Sequence, residues 1–196
     1  MSKILVAYTT NSGSTAEVAT EIGKELAING RQVDVRRLEE VTGLDDYDAV
    51  VVGAPMILGW HSAALKFIKQ NQTALTHKKV AYFCTALSLT RTDDSIIHSI
   101  PLQMDPDLAI PPVHAGRLSF KERYSTPTNY LNPILKAAPA VKPLRIGFFG
   151  GKLEMFRLKF WQAAFVMIII RAQPGDVRNW PFIQTWAREL NTEFSS

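Results

Sequence analysis

Residues 3–8, KILVAY, form a short apolar run that passes directly into a hydroxyl-rich loop, TTNSGST (9–15), and from there into a helical pattern. An apolar run of this length, stopped by polar turn formers, reads as a buried strand. Over 14–28, Val18, Ile22 and Leu26 recur every fourth position with Ala19 beside them, while Glu17, Glu21 and Lys24 face the other way and Gly30 closes the segment. That spacing predicts an amphipathic helix. A strand that hands its chain to a helix through one tight loop is the first half of a crossover unit, and few architectures accept it.

The rest of the chain repeats the theme. QVDVRRL (32–38) alternates and predicts a second strand, DDYDAVVVGAP (45–55) a third, KKVAYFCTAL (78–87) a fourth and PLRIGFFGG (143–151) a fifth, with a helix at 62–76. This rhythm is that of an α/β fold with a parallel sheet and helices on both faces. The expectation is one domain over 1–196, a three-layer α/β/α arrangement around five parallel strands in the order 2-1-3-4-5. Ligands in such sheets bind outside the carboxyl ends of the strands, where the strand order reverses. The loop 9–15 follows strand one and falls there. Residues 88–142 form a long proline-rich insertion between strands four and five, expected to be irregular except for a helix over 126–138. Asn179 is placed to cap a last helix with Pro181 in its first turn.

Composition excludes several classes. The net charge of +4 is spread without a block of like sign, which argues against a nucleic-acid partner. Cys84 is the one cysteine, so no internal disulfide exists and a reducing, cytoplasmic setting fits. The apolar part of the first ten residues is too short for a signal peptide. The longest apolar run, AAFVMIII (163–170), falls well short of the roughly 20 residues that a spanning helix needs.

What the first loop holds follows from its donors. A helix N-terminus offers free amides and the positive end of a dipole. Thr9, Thr10, Asn11, Ser12, Ser14 and Thr15 add uncharged side-chain donors, and Gly13 lets the backbone turn around an anion. Together they suit a terminal phosphate held without a lysine or arginine. The plainer reading is an N-capping loop rich in Ser and Thr. No G-x-x-x-x-G-K-[ST] is present, and no G-x-G-x-x-G follows the first strand. A phosphoacceptor domain of the same strand order would need acidic residues where this chain reads YTT and GAP.

From Val6 to Ile22 the chain resembles the flavodoxin signature, with Tyr8, Thr10, Gly13, Thr15, Ala19 and Ile22 in its required places; Ala7 departs, where a larger apolar residue is usual. The resemblance implies FMN as cofactor, its phosphate in the Thr9–Thr15 loop and its ring between two later loops. One is APMILGWHSA (54–63), supplying Pro55, Met56, Ile57, Leu58, Gly59 and Trp60. The other is TALSLTRTDD (85–94), supplying Thr85, Ala86, Leu87 and Ser88. Two readings of Trp60 stand, one beside the flavin and one packed on the surface or against the insertion.

Within that family the chain most resembles the bacterial menaquinone-dependent protoporphyrinogen IX dehydrogenases, through GAPMILGWHSAALKFIKQN, GFFGGKLEMFRLKFWQAAFVMIII and NWPFIQTWAREL. It departs at Ile57 and Leu58, where those enzymes tend to carry a basic and an aromatic residue, and across 88–142. The resemblance implies an FMN-dependent oxidoreductase of porphyrin biosynthesis that takes electrons from a porphyrinogen and passes them to a quinone. It is expected in the cytoplasm, with peripheral contact at the inner face of the cell membrane. Arg91, Lys152, Arg157 and Lys159 either attract propionates or are solvated surface charges. Helix 153–171 is core, a homodimer face or a membrane contact. The alternatives to an enzyme are an electron carrier, which a basic chain fits poorly, and a binding module that has lost FMN.

The remaining polar residues read as structural. His61, His77, His98 and His114 lack zinc-ligand spacing, although His61 lies in a ligand loop and could touch flavin or substrate. Cys84 reads as a small buried apolar residue. Asp93, Asp94, Asp105 and Asp107 read as turn and cap residues rather than paired acid–base carboxylates.

Overall fold

In the computed structural model, residues 3–28, 30–56, 59–92, 96–97, 99–114, 117–153 and 175–195 are described. In chain order the elements are β1 (Lys3–Tyr8), α1 (Ser14–Ala27), β2 (Gln32–Arg37), β3 (Ala49–Met56), α2 (Ser62–Gln70), α3 (Gln72–Leu75) and β4 (Lys79–Ala86). The insertion then supplies β5 (Leu89–Thr90), β6 (Ile96–Ile97), β7 (Ile100–Met104), β8 (Ala109–Ile110), α4 (Phe120–Tyr124) and α5 (Pro127–Ala137). The chain returns through β9 (Arg145–Gly150), β10 (Lys152–Leu153), β11 (Gly175–Asp176) and α6 (Trp180–Ser195).

The main sheet runs β2-β1-β3-β4-β9-β7-β6, and every pairing in it is parallel except β6 with β7. The expected five strands are therefore seven. The two additional strands come from the insertion, which is not the largely irregular segment its prolines suggested. Pro101 sits in β7 but precedes the register with β9, which opens at Leu102↔Ile146, so its missing N–H costs that ladder nothing. The helix expected over 62–76 is divided into α2 and α3 at Asn71, whose side chain donates to the Phe67 carbonyl.

Alternation along the strands sorts the core onto two faces. Ile4 and Val6 of β1, Val51 of β3, Phe83 of β4 and Phe149 of β9 meet Val18, Ile22 and Leu26 of α1 and Ile183, Trp186 and Leu190 of α6. Leu5, Val52, Cys84 and Phe148 point the other way, to Ala64 and Ile68 of α2, Leu131 and Ile134 of α5, and Leu102 and Leu108 of the insertion. Each fully buried Val, Leu or Ile in these faces stabilises the fold by about 1.5–3 kcal/mol. The insertion shares the main core rather than building its own. Among the described residues no helix is long and apolar enough to cross a membrane. The segment expected to form helix 153–171 lies outside the described residues after Leu153, as do Arg157 and Lys159.

Candidate functional site

Because β1, β3, β4 and β9 are parallel, the loops that leave their carboxyl ends gather on one edge of the sheet. Between them lies a cleft of about 380 Å³, part of it open to solvent. It is lined by Thr10, Asn11, Ser12, Ser14 and Thr15 after β1, Pro55 and Met56 at the end of β3, Thr85, Ala86 and Leu87 at the end of β4, and Gly151 and Lys152 after β9. The three segments expected to meet do meet, and a fourth joins them.

The first loop is shaped by its own hydrogen bonds. Gly13 adopts φ 97°, a left-handed conformation that costs glycine little, and its amide donates to Thr10 Oγ1 at 2.9 Å. Thr9 does not line the cleft; it is buried, and its amide donates to the Gly53 carbonyl at 3.0 Å, tying the loop's root to β3. Ser14 Oγ accepts from the Lys152 amide at 2.8 Å. Thr15 Oγ1 and Thr85 Oγ1 share a buried hydrogen bond of 2.8 Å, which fixes the first loop against the end of β4. Asn11 is the exposed member of the set. The first turn of α1 adds amides that have no intrahelical acceptor. Such a concave set of hydroxyls and amides can hold an oxyanion, and no aspartate or glutamate stands among the described lining residues to oppose it.

Lys152 was not counted in the sequence-based reading of this loop. It reaches the cleft only because β9 lies beside β4 and the Gly151 amide donates to the Ala86 carbonyl at 2.9 Å. The Gly-Gly-Lys run that closes the fifth strand is the one signal that could have found it. Among the described lining residues Lys152 is the one positive side chain, beside donors that are otherwise neutral.

The other predicted site residues are placed as follows. Ile57 and Leu58 lie outside the described residues, and Gly59 is half-buried with φ 103°. Trp60 is 5% exposed and packs edge-on against Tyr82, with ring centroids 6.0 Å apart. It is a core residue beneath the loop rather than part of the cleft lining. Ser88 stands back from the cleft, and its carbonyl accepts from Tyr130 Oη at 3.3 Å. Tyr130 stacks edge-on with Tyr124, centroids 6.3 Å apart, and the Tyr124 hydroxyl lies 3.9 Å from where a Gly59 side chain would begin. The insertion thus contacts both loops expected to flank a ring.

His61 caps α2, its Nδ1 accepting from the Ala63 amide at 3.3 Å. Burial pushes the Cys84 thiol well up, against a smaller opposing pull from the Trp60 indole, so it is a protonated core group. Asp105 is fully buried, which raises its carboxyl above the usual range, and it accepts from the Asp107 amide at 3.0 Å as a turn residue. Among the described residues no three His, Cys, Asp or Glu side chains are grouped to hold a metal. His98, Asp93 and Asp94 lie outside the described residues.

The chain belongs to the flavodoxin domain family, whose model matches residues 5–178. The protoporphyrinogen IX dehydrogenase [quinone] of Escherichia coli K12 is 36% identical over 89 residues, 43% of this chain and 49% of that enzyme. The chain spans about half the length of the curated relatives it matches. A short-chain flavodoxin associated with a bacterial microcompartment superposes with a TM-score of 0.53 at 14% identity, covering 100% of both chains. Flavodoxin 2 of Bacillus cereus gives 0.51 at 17% identity, covering 98% of this chain and 100% of that one. At these identities the two structures establish the fold alone.

Proposed function

We propose that the cleft binds FMN and that the chain is an oxidoreductase, taking electrons from a reduced porphyrinogen and passing them to a quinone. The observation that carries this is the pairing of an uncharged hydroxyl cradle with an apolar slot in one cleft that has no acidic side chain among its described lining residues. In this reading Thr10, Asn11, Ser12, Ser14 and Thr15 hold the phosphate, with Thr9 and Gly13 shaping the loop. Pro55, Met56, Ala86 and Leu87 flank the ring and exclude water from it, Gly59 belongs to the same loop as Pro55 and Met56, and Trp60 and Ser88 support that wall from behind. The Thr15–Thr85 hydrogen bond sets the spacing between phosphate and ring. When bound, FMN supplies the redox chemistry, and the protein supplies position and electrostatics.

Substrate and acceptor rest on the partial match to the E. coli protoporphyrinogen IX dehydrogenase [quinone]. The insertion favours an enzyme over a carrier, because it sets Tyr124 beside Gly59 and Tyr130 against the Ser88 carbonyl, contacts with the two loops proposed to flank the ring. The test is anaerobic mixing of FMN-loaded protein with protoporphyrinogen IX, followed by a quinone. Flavin absorbance is expected to bleach within seconds and return on quinone addition. Flavin that stays oxidised with the porphyrinogen, yet is reduced by a protein reductase, would contradict the enzyme and favour the carrier.

A further inference from the structure

Away from the cleft, the two most exposed large apolar side chains among the described residues lie close together in the insertion: Phe120 is 87% exposed and Val113 81%, with Ile110 nearby in sequence at 62%. They are not on a loose strand of chain. The Glu122 carboxylate accepts from the Val113 amide through one oxygen and from the Ser119 amide through the other, each at 2.7 Å, while Ser119 Oγ accepts from the Glu122 amide at 3.3 Å. One carboxylate therefore fastens the chain at Val113 to the start of α4, beside Phe120, and does so at the surface. Two large apolar groups held outward by a dedicated clasp need a reason, because exposing them lowers solubility.

Charge suggests what meets them. Between Ile110 and Tyr124 the cations are Arg117, Lys121 and Arg123, against Glu122 alone, and Glu122 is engaged by the two amides. Arg117 and Arg123 are exposed. Protruding apolar side chains with two exposed arginines in the same short segment fit a surface that is negative at its face and apolar beneath. A second copy of this chain fits less well, since the tip is basic and the whole chain carries +4.

We propose that this clasped tip of the insertion docks on an anionic phospholipid bilayer. Val113, Phe120 and Ile110 enter the boundary between headgroups and acyl chains, and Arg117 and Arg123 meet lipid phosphates. The inference rests on the insertion alone and stands whether or not FMN occupies the cleft.

Flotation of the full chain with vesicles tests it, using phosphatidylcholine with and without phosphatidylglycerol at low salt. Binding is expected with phosphatidylglycerol and should fall about tenfold or more in Val113→Ser/Phe120→Ser. It should fall about fivefold for each cation lost in Arg117→Gln and Arg123→Gln. The affinity of the cleft for FMN, measured in the same variants, is expected to stay unchanged, which separates this result from the cofactor reading. A thermal melt checks that the double variant is folded, and Phe120→Ser alone serves if it is not. No association with either vesicle, or full association of the folded serine variant, would overturn the proposal. So would a lipid-free dimer that the serine variant breaks, because a second copy would then cover the tip.

Discussion

Replacing Thr10 by glutamate is expected to lower the affinity for FMN about a hundredfold. Thr10 lines the cleft and its Oγ1 accepts from the Gly13 amide at 2.9 Å, so a carboxylate there stands among the groups proposed to hold the phosphate. Two like charges about 4 Å apart repel by about 4 kcal/mol at an effective dielectric of 20, and the half-exposed position reduces this to about 2–3 kcal/mol. Thr10→Ser keeps the hydroxyl acceptor and should bind within a few-fold of the parent. Quenching of flavin fluorescence during titration reads both. A glutamate variant that binds as tightly as the serine variant would place the phosphate elsewhere.

Gly150→Ala is expected to destabilise the fold by about 3 kcal/mol, a fall in Tm of about 6–12 °C for a chain of this size. A methyl group on Gly150 would overlap the Val177 carbonyl, which is backbone and cannot rotate aside. The segment around Val177 is fixed from several directions. Its amide donates to the Gly151 carbonyl at 3.1 Å, β11 pairs antiparallel with β10, and Arg178 donates to Glu17 of α1 at 2.7 Å while lying 4.5 Å from the Trp180 ring. Moving it would also shift Gly151 and Lys152, which line the cleft, so flavin affinity should weaken along with stability. An unchanged melting curve would show that the strap yields at no cost.

Much of this was legible from local pattern. The every-fourth spacing of Val18, Ile22 and Leu26 marked α1, and the apolar runs marked β1, β3, β4 and β9 near their observed bounds. Asn179 caps α6 as its residue type suggested, its Oδ1 accepting from the Phe182 amide at 3.1 Å. The first loop was readable because its donors are contiguous in sequence. Three features were not readable, each for a tertiary reason. β7 contains Pro101 and becomes a strand only because β9 offers it a free edge. Lys152 joins the cleft through a contact with Ser14 that no spacing encodes. Trp60, read either as a ring neighbour or as packed on the surface or against the insertion, instead lies in the core with its indole edge-on to Tyr82.

The proposed phosphate site is a cradle built almost wholly of hydroxyls and amides at the start of α1. Comparing FMN with riboflavin, which differs only in lacking the phosphate, tests that cradle most directly. Two or more charge-assisted hydrogen bonds at about 1.5–3 kcal/mol each predict that FMN binds at least a hundredfold tighter. Equal affinities for the two flavins, or no binding of either, would contradict the assignment of this loop.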